Sequence, residues 1–317
     1  MKTNFLLGIL LLLVLTSCDS DTEIATNPNS NTQSEVVTVV DKITRVNLKN
    51  RHLSNYEEDQ FLYNDKGLIS KIYLHGYTLD QNGRETETVS GRMYEFVYGA
   101  NGKVSEYYIG EGFTSADLQQ SIINSNKIFT KVVLEYDTNK RLVKETQFVN
   151  KNNTFEEGDS FQFLYDFKGI INKIVPSTCF NGPCEERYSD FDNKGNPLYF
   201  YPDNVIGIRD DKPTRKLTYD DSLNPLHLIL SKAGLTSLEG LFKYRDYRAF
   251  DRYYRTFPNN FKEVLAIRAN QNLLSVTYEG NENGYPLKST SEVYNILFRV
   301  TTIYEMNLTY KEVTVMN

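Results

Sequence analysis

One short pattern recurs along this chain and limits what it can fold into: an apolar strand ending in Tyr or Phe, a polar turn, then a second apolar strand. It reads Phe61-Leu62-Tyr63-Asn64-Asp65-Lys66-Gly67-Leu68-Ile69 and returns as Phe96-Val97-Tyr98-Gly99-Ala100-Asn101-Gly102-Lys103-Val104. Further copies are Leu134-Glu135-Tyr136-Asp137-Thr138-Asn139-Lys140-Arg141-Leu142 and Phe163-Leu164-Tyr165-Asp166-Phe167-Lys168-Gly169-Ile170-Ile171. Looser copies begin at Asp190, Leu217 and Val276. Asp or Asn opens such a turn by bonding its own backbone, and Gly at the fourth position takes the left-handed conformation of a bulged hairpin. Lys140 and Leu223 stand where Gly is expected, which predicts strained or differently shaped turns. The flanking Val, Ile, Tyr, Phe and Thr are strand formers.

The turn aromatics stand at 63, 98, 136, 165, 191, 219 and 278, in steps of 26 to 38 residues and a last step of 59. A period of that order means one supersecondary unit per repeat, each sharing a core with its neighbours. The expected class is all-β: an antiparallel sheet of successive hairpins, curled into a barrel or β-roll, with a short helical insert. The insert falls at residues 235–257, where Leu235, Leu238, Leu241, Phe242, Tyr247, Phe250 and Tyr254 recur at three and four, giving one or two helices that end before Pro258. A shorter helix is expected at residues 115–124, and two long closing strands at 287–297 and 300–313.

The N-terminus addresses the chain. Lys2 precedes an apolar run over residues 5–15, the layout of a secretory signal and too short for a permanent membrane span. Leu15-Thr16-Ser17-Cys18 resembles the bacterial lipobox. That resemblance implies cleavage before Cys18, a diacylglycerol on its thiol and an acylated amine, enough chains for stable anchoring. The layout is then a signal over residues 1–17, a tether over 18–35 too polar to bury itself, and a repeat domain over 36–317. The acidic Asp19-Ser20-Asp21-Thr22-Glu23 start resembles an inner-membrane retention signal of enteric-type bacteria, or a surface-export signal of Bacteroidota-type bacteria. The abundant Asn, Lys, Ile and Tyr lean towards the second.

Formal charge is −6, so attraction of the whole chain to nucleic acid is not expected. Beyond Cys18 the cysteines are Cys179 and Cys184, in Cys179-Phe180-Asn181-Gly182-Pro183-Cys184. Asn-Gly is a hairpin-turn signal, and in an oxidising envelope a Cys179–Cys184 disulfide is expected across it; a redox or metal pair is the alternative.

Tyr-Asp-x-x-Gly hairpins are similar to the YD repeats of RHS-type shells. The chain more closely resembles Bacteroidota-type lipoproteins without an assigned function whose domain is described as porin-like. Tyr219-Asp220-Asp221-Ser222-Leu223-Asn224-Pro225 looks like that group's Tyr-Asp-x-x-x-Asn-Pro segment. Asn259-Asn260 and Asn283-Gly284-Tyr285-Pro286-Leu287-Lys288-Ser289 look like its closing elements. The resemblance covers most of residues 40–312 and implies a curled antiparallel sheet; it carries over no catalytic residue. A pore is not expected, because Lys, Glu and Arg flank the apolar positions, as in Val143-Lys144-Glu145-Thr146, where a membrane barrel needs an apolar band.

Catalytic signals are weak. His52, His75 and His227 form no zinc spacing, and no phosphate loop or nucleophile elbow appears. Glu57-Glu58-Asp59, Asp210-Asp211 and Asp220-Asp221 supply carboxylates, but sequence cannot place two across a cleft as a glycosidase requires. No cofactor is called for. Arg248, Arg252 and Arg255 share one helical face of the insert, either a solvated face or a contact for an anionic partner or lipid headgroups. The reading is a lipid-anchored outer-membrane protein, periplasmic or surface-facing, that binds a protein or glycan partner without catalysis. The alternative is a carbohydrate-active hydrolase with carboxylates in the barrel mouth.

Overall fold

The structure is a computed structural model and describes residues 34–48, 55–80, 85–177, 186–201, 212–236, 257–280, 283–295 and 299–316. These form a closed antiparallel barrel of sixteen strands. In chain order they are β1 (Ser34–Asn47), β2 (Asn55–Tyr63), β3 (Ile69–Leu79), β4 (Glu85–Tyr98), β5 (Val104–Phe113), β6 (Ile128–Tyr136), β7 (Leu142–Lys151) and β8 (Thr154–Tyr165). There follow β9 (Ile171–Pro176), β10 (Glu186–Phe191), β11 (Pro197–Tyr201), β12 (Arg215–Leu223), one α-helix α1 (Pro225–Ala233), β13 (Asn259–Ala266), β14 (Gln271–Gly280), β15 (Pro286–Asn295) and β16 (Val300–Met316). Each strand pairs with its chain neighbours, and β1 pairs with β16 from Ser34↔Met316 to Asn47↔Tyr304, which leaves the sheet without an edge.

The repeat explains itself in the turns. Asn64, Asp137, Asp166 and Asp192 each accept, through one side-chain oxygen, the backbone N–H groups two and four residues ahead, at 2.9–3.0 Å. Gly67, Gly102, Gly169 and Gly195 take the left-handed conformation at the fourth position, and Lys140 is held there too, at φ 61°. The turn keeps its shape and the lysine bears the strain. The register shifts just before the tyrosine in the first four hairpins, so Tyr63 pairs with Ile69, Tyr98 with Val104, Tyr136 with Leu142 and Tyr165 with Ile171.

Those tyrosines lock one hairpin to the next. Tyr98 donates its hydroxyl to the carbonyl of Ile69, Tyr136 to Val104 and Tyr165 to Leu142, each at 2.7 Å. Each acceptor is the residue paired with the preceding hairpin's tyrosine. The chain of clasps continues with Tyr219 to Pro197 and Tyr278 to Phe261, and closes through Tyr310 to Pro286 and Tyr63 to Val40. Val40 is itself paired with Tyr310, so the ring meets itself across the β1–β16 seam. Phe191 occupies the remaining place and has no hydroxyl to give. Burial pushes Tyr63, Tyr98, Tyr136 and Tyr310 well above the usual tyrosine range, so they remain donors.

The barrel is filled. Ile43, Phe61, Ile72, Tyr94, Phe96, Tyr107, Val132, Phe161, Ile174, Leu217, Val264 and Leu274 belong to one buried cluster inside it. The outer face carries cross-strand ion pairs: Lys42–Glu58 at 3.0 Å, Lys131–Glu106 at 2.6 Å, Lys144–Glu135 at 3.4 Å and Lys288–Glu305 at 3.0 Å. Apolar inside and charged outside is the pattern of a barrel solvated by water; one solvated by lipid needs an apolar outer band. A second small cluster, Tyr73, Met93, Tyr108, Phe113, Ile122 and Ile128, lies under the β5–β6 connection.

Two expectations need correction. The helix expected at residues 115–124 is a short 3-10 helix, Ser115–Gln119, closed by a Thr114–Asp117 capping box; Leu118 and Ile122 pack on the small cluster, but Gln120 is already extended, so Ile122 reaches it from outside the helix. The Leu217–Pro225 copy is not a hairpin either. Its strand ends at Leu223, Asn224 caps α1 by accepting from the N–H groups of Leu226 and His227, Pro225 starts the helix, and Gly234 ends it at φ 86°. Of the insert at residues 235–257, only Leu235, Thr236 and Phe257 are described.

Candidate contact surface at the plugged end

The two ends of the barrel differ. One carries the tyrosine ring, the Asx turns and the long β12–β13 connection that holds α1; the other carries connections of mixed length, from the two-residue Asn152–Asn153 turn to the β5–β6 loop. Helix α1 closes the first end by placing Ile229, Leu230 and Ala233 in the barrel core. Its Pro225, Leu228, Ile229 and Lys232 pack beside Val40, Tyr63, Ile69 and Tyr310, directly over the ring.

The residues that resemble the porin-like group converge on the start of this plug. Asn196 and Asn259, 0% and 2% exposed, bond each other twice: Asn196 Nδ2 donates to Asn259 Oδ1 at 3.0 Å, and Asn259 N donates to Asn196 Oδ1 at 3.1 Å. Asn259 Nδ2 also donates to the carbonyls of Asp221 and Ser222, and Asn260 Nδ2 to that of Leu223. The N–H of Leu223 reaches the carbonyl of Gly284, and that of Asn224 the carbonyl of Pro258. These bonds fix where α1 enters.

Beside α1 opens a pocket of about 520 Å³. Lys103, Lys140, Arg141 and Lys194 line it from the turns, His227, Ser231 and Thr236 from the helix side, and Tyr165, Phe191 and Phe257 supply aromatic walls. Arg141 is held by Asp137 and lies over the Tyr165 ring at 4.6 Å. Lys103 donates to the carbonyl of Lys232 at the end of α1, and Lys194 pairs with Asp221 at 3.1 Å. Hydrogen bonds to the Asp137 carboxylate from the Arg141 backbone and guanidinium hold it below its ordinary value, so it stays charged.

Five tight turns at this end present a cation, Lys66, Lys103, Lys140 with Arg141, Lys168 and Lys194, while the β14–β15 turn at residues 281–285 has none. Phe167 stands at the tip of one turn, 94% exposed, with the Lys168 ammonium 5.7 Å from its ring. The matching position elsewhere holds Asp65, Ala100, Thr138 or Asn193. That contrast was legible in the repeat, and so were the turn lysines; neither was singled out from the sequence.

Cys18, Cys179, Cys184, Arg248, Arg252, Arg255, His52, Asp210 and Asp211 lie outside the described residues. His75 sits on β3 with its ring stacked between Tyr73 and Tyr77, and His227 lines the pocket. Asp59 is buried inside the barrel against Arg45, at 2.7 Å. Burial lifts its carboxyl to about 7, against the pull of the Arg45 guanidinium. Glu145, also buried, accepts from the Tyr107 hydroxyl at 3.4 Å.

No protein-family model and no curated protein sequence matches the chain. Among solved structures, a porin-like protein from Bacteroides uniformis ATCC 8492 is similar over 86% of this chain and 98% of that one, with a TM-score of 0.50 and 10% identity. A porin-like protein from Bacteroides vulgatus ATCC 8482 matches over 87% of this chain and 99% of that one, with a TM-score of 0.36 and 11% identity. The Photorhabdus luminescens Tc holotoxin pore matches over 76% of this chain and 14% of that one, with a TM-score of 0.22 and 12% identity. The first of these has a similar fold.

Proposed function

We propose that this chain is a lipid-anchored envelope protein whose filled barrel is a rigid, non-enzymatic scaffold for a protein or glycan partner. The observation that carries the reading is the inside-out pattern: an apolar, packed interior within a ring of outward ion pairs. Such a barrel cannot satisfy lipid around its waist or conduct through its middle, so its hold on a membrane has to come from elsewhere. The Cys18 lipobox supplies it. The hydrolase alternative draws less support. Asp59 is committed to Arg45 and Glu145 to Tyr107, and neither lines the described pockets.

Cell fractionation of wild type and Cys18→Ser tests the proposal. Wild type should sediment with membranes and incorporate a fatty-acid analogue; Cys18→Ser should appear in the detergent-free soluble fraction, unlabelled. A Cys18→Ser protein whose mass shows the signal removed, and which still needs detergent to leave the membrane, would sink it, since neither acyl chains nor the apolar run over residues 5–15 then holds it.

A further inference from the structure

We infer that the plugged end of the barrel seats on the bilayer surface, with Phe167 entering the headgroup region and Lys66, Lys140 and Lys168 facing lipid phosphates. Its orientation rests on the Cys18 anchor proposed above; the surface chemistry does not.

Three observations converge. The first is topological. β1 begins at the plugged end: Ser34 pairs with Met316, and Gly67, in a tight turn of that end, packs against Val37 and Val315. Any anchor upstream of Ser34 therefore joins the barrel on this side. Fifteen residues stand between Cys18 and Ser34, a reach of roughly 50 Å at full extension, so the same end is held close to the lipid and even a weak surface contact is populated.

The second is the exposed apolar surface. Phe167 is 94% exposed, and the same end also exposes Val36 at 58%, Leu287 at 46% and Leu223 at 44%. A phenylalanine at a turn tip gains nothing from water, and the other turns place a small or polar residue there. At a membrane interface the ring has somewhere to go.

The third is charge. Lys66, Lys140 and Lys168 are all exposed. The turn carboxylates Asp137, Asp166 and Asp192 are half-buried, each occupied by backbone N–H groups of its own turn. Among the described residues, the exposed carboxylates of this end include Asp65 in a turn, Asp221, which pairs with Lys194, and Glu35, Glu279 and Glu312 on the strand ends, so the lysines at the turn tips stand out against an acidic rim. Lysines near an anionic bilayer each add attraction that falls away within a Debye length.

The chain has no tryptophan, which makes the test site-specific. The mature chain carrying Cys18→Ser, without lipid of its own, is mixed with vesicles of phosphatidylethanolamine and phosphatidylglycerol. In that background Phe167→Trp provides one fluorophore at the plugged end. Phe155→Trp provides one at the far end of β8, the strand that leads into the Phe167 turn, where Phe155 is 38% exposed. The emission of the Phe167→Trp protein should shift to the blue and be quenched by brominated acyl chains, while that of the Phe155→Trp protein does neither. Adding Lys140→Glu and Lys168→Glu should weaken the partition of the Phe167→Trp protein roughly tenfold or more, and so should vesicles of phosphatidylcholine alone. An unmoved emission of the Phe167→Trp protein on anionic vesicles would overturn the inference and leave Phe167 as a protein-contact residue. An equal response at both positions would overturn it too, as would binding indifferent to lipid charge. Because the protein in the test is unlipidated, these results are independent of whether Cys18 is acylated, which fractionation decides.

Discussion

At the scale of single residues, the tyrosine that closes each hairpin does two jobs. Its ring fills the rim of the core and its hydroxyl clasps the previous hairpin's bulge. Tyr98→Phe keeps the ring and removes the bond to Ile69. It should cost about 1 kcal/mol, the usual net value of a hydrogen bond, read as a lower denaturation midpoint with an unchanged slope. Asp59 offers a second test. Its folded value of about 7 lies above the ordinary 3.8, so between those values the folded chain binds the proton more tightly than the unfolded one. This group's contribution to stability is therefore fully present at low pH and falls as pH rises through that window, the reverse of a carboxylate whose value is depressed. Urea titrations of wild type and Asp59→Asn from pH 4 to pH 7 should differ in slope, wild type losing stability relative to the variant as pH rises.

At the scale of elements, the plug is the decisive piece. Leu230 is 1% exposed and packs in the barrel core from α1. Leu230→Ala should destabilise by about 2–5 kcal/mol, measured by chemical denaturation. Hairpin turns were readable in the sequence because their determinants are local: an Asx oxygen, a left-handed fourth residue, a terminal aromatic. The same locality misled at Tyr219-Asp220-Asp221, which imitates a turn copy. The deciding signals came just after it, Asn224 as cap, Pro225 at the first helical position and Gly234 at the end, and they bracket α1. Tyr310 escaped notice as a ring member because no tight turn follows it. The buried Asn196–Asn259 pair spans 63 residues of sequence, and nothing local announces such a contact.

For the whole molecule, a repeat of hairpins predicts a curled sheet but not whether its ends meet. Closure depends on the Ser34↔Met316 register, a pairing between the two ends of the domain that neither strand encodes alone. The alternation of charge and apolar side chains was legible, and it settles which face is solvated. Val132 and Leu134 turn inward, while Lys131 and Glu135 carry ion pairs outside. The barrel thus resembles in fold the porin-like protein from Bacteroides uniformis while reversing the polarity a membrane pore requires. Ion conductance of the purified mature protein in planar bilayers tests that claim most directly. A packed interior and a charged waist predict no stepwise channel currents at any applied voltage the bilayer withstands. Reproducible unitary conductance would mean an open lumen and a lipid-facing wall, and would contradict the account.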